Sequence, residues 1–156
     1  MNPILIKNKI EEVSKAYNIA HGGNDMQLTI QIHYPQHGGS LWMEIGDLTP
    51  HTREWHREAC ENRLKDMLGV VHQSIQTSRT FDLKKPDKIG AIKCEEGVVV
   101  MAGIGYLVSL DILAVALYKL KLITKENYHK IKEELGVENS VEDKGAKFWL
   151  LEHSVK

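Results

Sequence analysis

Apolar residues recur at helical spacing from the start of the chain. Ile6, Ile10, Val13, Tyr17 and Ala20 share one stripe, behind an Asn2-Pro3 pair that matches an N-cap followed by a first-turn proline. This predicts a helix over 3–20, closed by Gly22 and Gly23. From Met26 the period becomes two: Leu28, Ile30 and Ile32 alternate with Gln27, Thr29, Gln31 and His33, and beyond a turn-rich stretch Leu41, Met43 and Ile45 alternate again. Residues 26–47 are therefore expected to form an antiparallel hairpin.

Thr49-Pro50 repeats the cap-and-proline signal and opens a helix expected over about 50–78, with Trp55, Cys60, Leu64, Met67, Val71 and Ile75 toward the core. A basic loop with Arg79, Lys84, Lys85 and Lys88 leads to a second hairpin, in which 89–94 and VVVMA at 98–102 flank a Glu95-Glu96-Gly97 turn. VVVMA does not alternate, which predicts a central strand covered on both faces. Helices are expected over about 105–122 and 124–135, the second capped by Thr124. Near the end, KFWLLEHSV suits a last strand, a helix or a docking segment at 146–156 equally well.

The predicted class is α+β: antiparallel hairpins forming a small sheet packed with about four helices, including the long helix at about 50–78 and a C-terminal helical hairpin, within a single domain 1–156. Residues 97–118 complicate this, because these 22 residues carry one charge, Asp111, and are long enough to span a bilayer. A span would place Asp111 at depth. Cutting the run at Gly103-Ile104-Gly105 into a buried strand and a buried helix is the simpler reading, and no membrane association is expected.

Charge narrows the partners. Lys and Arg number 20 against 21 Asp and Glu, for a net charge of −1, without a long block of either sign. General affinity for nucleic acid through a basic field is not expected. MNPILIKNKI lacks the order of a signal peptide, which implies a cytoplasmic location and makes Cys60 and Cys94 buried thiols rather than a disulfide.

Two local resemblances are partial. VVVMAGIGYLVS resembles the strand, glycine turn and helix of dinucleotide-binding proteins, but Met101 and Tyr106 occupy two of the three glycine positions. What it implies is an anion near the amides of Gly103 and Gly105. SLDILAVALYKLKLIT resembles the acid-bearing helix of PIN-type nucleases, yet the other acids of that family are missing, and Asp111 is expected to make a polar contact instead. Neither resemblance assigns a family.

Eight histidines are present, five of them in residues 21–56, and two occur in HGG at 21–23 and 37–39. A nine-residue strand is about 30 Å long, so the two copies fall at opposite ends of it. The return strand brings Asp47 and His51 toward His21 and Asp25, which makes His21, Asp47 and His51 candidate ligands of a divalent metal, with Asp25 or Glu54 as a base. His56 and Cys60 are one helical turn apart, and packing is expected for Cys60. On the hairpin, Gln31, His33, Trp42 and Glu44 would face away from the core and offer a surface to a protein or small-molecule ligand. The expected function is thus a small non-enzymatic binding protein, a homodimer, with no required cofactor. The alternatives are a metal-dependent hydrolase or phosphodiesterase built on the His/Asp cluster, and a nucleotide or anion binder at Gly103 and Gly105.

Overall fold

The computed structural model describes residues 1–20, 26–69, 90–104 and 106–138. Helix α1 (Pro3–Ala20) begins where Asn2 Oδ1 accepts the amide hydrogens of Ile4 and Leu5 at 3.0 and 3.4 Å. Strands β1 (Leu28–Tyr34) and β2 (Gly39–Ile45) follow, then α2 (Pro50–Gly69), whose N-cap is the Thr49 hydroxyl accepting from the Thr52 amide at 3.2 Å. Strands β3 (Ala91–Lys93) and β4 (Val98–Ala102) precede α3 (Tyr106–Lys119) and α4 (Lys125–Glu138), the latter capped by Thr124 on the Asn127 amide at 3.1 Å. The α+β class is observed. Residues 70–78 of the expected long helix, with Val71 and Ile75, and the 146–156 segment lie outside the described residues.

The four strands form one antiparallel sheet in the order β2-β1-β4-β3. The hairpin pairs without a bulge from Leu28 opposite Ile45 to Tyr34 opposite Gly39, and β4 lies along the other side of β1, Ile30 opposite Met101 and Ile32 opposite Val99. Alternation then sorts the side chains into two layers. Leu28, Ile30, Ile32, Ile92, Val99 and Met101 join Ile6, Ile10 and Val13 of α1 and the body of α3 in one apolar core, with Tyr128 and Ile131 of α4 behind α3. On the opposite face α2 lies over β4, β1 and β3, where Cys60, Leu64 and Met67 meet Ala91, Val98, Val100 and Ala102.

Helix α3 explains the apolar run. From Val108 to Leu117 every residue is buried, among the sheet, α1 and α4, and a helix enclosed on all sides is apolar all round. The run is divided between β4 and α3, and no helix of the described residues is long and apolar enough to cross a membrane. Asp111 forms an ion pair with Lys132 between α3 and α4, both side chains buried. Cys60 and Cys94 are free and buried.

Two expectations about exposure are corrected. Trp55 is 68% exposed rather than in the core; at about 100° per residue it stands about 140° round the helix from Cys60, off the Cys60-Leu64-Met67 stripe. The polar face of the hairpin is not open either. Thr29 is fully buried and Gln31 is 1% exposed, because α2 covers the face they occupy. A strand that pairs directly with β4 shares the cover that β4 receives.

Candidate functional site

The hairpin residues singled out by their polarity are tethered within the chain. Gln31 Nε2 donates to Ser40 Oγ at 3.0 Å, and His33 Nδ1 lies 3.1 Å from the same hydroxyl. One hydroxyl thus joins both side chains of β1, accepting from Gln31 and either donating to or accepting from His33 according to the imidazole tautomer. Trp42 is half-buried and carries the Arg57 guanidinium 4.9 Å from its ring centroid, a cation–π contact from α2. Glu44 is gripped by Arg53 through both carboxylate oxygens, Nε on one and a terminal nitrogen on the other at 2.9 Å. The Arg53 hydrogen bond holds the Glu44 carboxyl below its ordinary range, against a smaller opposing effect of burial.

Beneath α2 lies a second group of polar residues. Thr29 Oγ1 and His56 Nδ1 share a hydrogen bond of 3.1 Å, the Cys60 thiol points to the Thr29 carbonyl at 3.8 Å, and Arg63 donates to the Met101 carbonyl. His56 and Cys60 are adjacent on the helix, as a nucleophile and its base would be. The thiol, however, is fully enclosed and pushed up to about 12 by burial, so it carries negligible thiolate and serves as packing. Burial, followed by the Arg63 charge, lowers the pKa of His56 and keeps the imidazole neutral beside Thr29.

Two of the three candidate metal ligands, Asp47 and His51, are among the described residues, and they border different depressions. His21 and Asp25 lie outside the described residues. Asp47 lines a cavity of about 490 Å³ between α1 and the hairpin base, beside Ser14, Asn18 and Gln27. His51 instead borders a shallow depression of about 350 Å³ on the outer surface of α2, with Glu54, Trp55 and Glu58. Among the described residues no three His, Cys, Asp or Glu side chains are grouped to hold a metal ion.

Gly103 has a packing explanation. Its φ is +120°, and a Cβ there would stand 2.2 Å from the Gln27 carbonyl oxygen and 2.9 Å from the His56 ring, so the close approach of β1 and α2 requires glycine whether or not an anion binds. Gly105 lies outside the described residues. The second HGG turns the chain: the Tyr34 carbonyl accepts from the amides of His37 and Gly38, both at 3.0 Å, and Gly38 takes a φ of +64°. The first copy is outside the described residues.

What sequence reasoning missed is the edge. Strand β2 ends the sheet, with no strand beyond it among the described residues. Its other face presents Leu41, 40% exposed, and a half-buried Met43. The opposite edge differs: β3 has three residues and ends in Lys93, both features that discourage pairing. The signal was present in GSLWMEI, seven strand residues without lysine or proline. Comparison of the chain with models of known protein families, with curated proteins and with solved structures finds no match in any of the three.

Proposed function

We propose that this chain is a non-enzymatic interaction protein that receives an extended segment of another polypeptide along β2. The observation that carries the proposal is the seven-residue edge of β2, which no other strand covers among the described residues. It offers backbone donors and acceptors for strand addition and a half-exposed Leu41-Trp42-Met43 sequence for side-chain contact. The side chains first expected to bind take a different part. Gln31 is a buried brace, while His33, Trp42 and Glu44 are fixed by Ser40, Arg57 and Arg53, which stiffens β2 in an extended form before any partner arrives.

The test uses synthetic seven-residue peptides of alternating apolar and polar residues, titrated against the protein by Trp fluorescence and amide hydrogen exchange. Binding should slow exchange at residues 39–45, and Leu41→Lys should weaken it. Protection confined to other residues, or binding indifferent to Leu41→Lys, would refute edge recognition.

A further inference from the structure

The strand that β2 accepts is, we infer, β2 of a second copy of this chain, paired antiparallel about a two-fold axis through Trp42. This rests on the edge-binding reading and goes further by fixing the partner and the register.

Four observations converge. The first is self-complementarity: with Trp42 opposite Trp42, Leu41 faces Met43 on the α1 side, and Ser40 faces Glu44 on the α2 side. Both apolar residues meet apolar residues, and no like charges are opposed. Second, the charge pattern asks for nothing foreign. Glu44 is the one charge of β2 itself, and Arg53 of its own chain already neutralises it, so the strand has no net charge with which to select an acidic or a basic partner.

The third is area. A seven-residue strand is about 23 Å long, and a stable pair needs roughly 800 Å² per partner, hence a strip about 35 Å wide. Strand pairing alone is far narrower. The edge is wider than its strand, however, because α2 carries Arg57 over the Trp42 ring and α1 packs against β2 as well. Fourth, the arrangement closes. Pairing β2 with β2 consumes the long edge of each copy and leaves outermost, among the described residues, the short β3 edges, so growth stops at two rather than continuing as a fibre.

Light scattering on the purified chain across a dilution series, combined with cysteine cross-linking, decides the matter. Opposed residues in an antiparallel pair have Cα atoms about 4.5–5.5 Å apart, within disulfide range. Under mild oxidation Trp42→Cys should therefore cross-link to itself, Ser40→Cys should not, and an equimolar mixture of Ser40→Cys and Glu44→Cys should. The native thiols will not compete, since both are buried and held near 12. Leu41→Lys should shift the chain to monomer with an unchanged circular dichroism spectrum. Should Trp42→Cys fail to fold, the mixed pair carries the test alone.

A monomer at every concentration overturns the inference, as does a dimer unaffected by Leu41→Lys, or self-cross-linking of Ser40→Cys with none in the mixture. The broader reading fails separately: a monomer that still protects residues 39–45 when peptide binds keeps edge recognition and loses only the second copy.

Discussion

The two faces of the sheet are built from different materials. Toward α1 and α3 the strands present Leu28, Ile30, Ile32, Val99 and Met101, all fully buried. Toward α2 they present Thr29, Gln31, Ala91, Val100 and Ala102, and the helix answers with His56, Cys60 and Arg63. The first face holds by volume, the second by small residues that let α2 approach and by specific hydrogen bonds. The difference teaches that a polar strand face does not mean an open one: Thr29 is covered with a partner from α2, His56, and Gln31 with one from the neighbouring strand, Ser40.

The sharpest challenge to this contrast lies one layer outside the apolar face. Lys132→Ala removes the buried counter-charge of Asp111 between α3 and α4 and should cost about 3–5 kcal/mol in urea unfolding, whereas Asp111→Leu with Lys132→Met should recover most of the loss. A small single-mutant effect would mean that the ions reach water. Next comes the apolar face itself. Ile30→Ala should lower stability by about 2–5 kcal/mol through lost burial and a residual cavity, measured by the shift in denaturation midpoint.

On the α2 side the expected effect is smaller. Thr29→Val keeps the shape and removes the hydrogen bond to His56, and should cost about 1 kcal/mol. A loss as large as that of Ile30→Ala would erase the distinction between the faces. The smallest effect is in pH. Because burial lowers the pKa of His56, the folded chain binds fewer protons there than the unfolded chain. The stabilising contribution is complete above the ordinary histidine value of about 6.5 and declines as pH falls from there toward the lowered folded value. His56→Gln should flatten the dependence of the denaturation midpoint between pH 5 and 7.5, a range that avoids the carboxylates.

Periodicity revealed the elements because each has a well-defined repeat: the α1 stripe, the alternation in both strands of the first hairpin, and the uniform apolarity of β4 and α3. It could not reveal that β1 pairs with β4. That pairing is what carries α2 over Thr29 and Gln31, and without it their polarity resembles a solvated surface. Trp55 misled for the opposite reason, since its size suggested burial while its angular position on α2 placed it in solvent. The histidines were equally ambiguous. Asp47 and His51 are near in sequence, but a helix start turns His51 outward, away from the cavity that Asp47 lines. An edge is visible only once strand order is known, and strand order is a property of long-range contacts.

The seam between β1 and β4 also governs how this chain reaches its structure. The β1-β2 hairpin and the α3-α4 pair each join near neighbours in sequence, whereas Thr29 meets Ala102 only after α2 and the segment beyond it have been drawn in. Closing so long a loop is entropically costly until the contacts it enables are made. The central seam therefore forms late and sets the folding rate, and until it closes the apolar strand β4 and helix α3 remain uncovered, so refolding yield should fall as protein concentration rises.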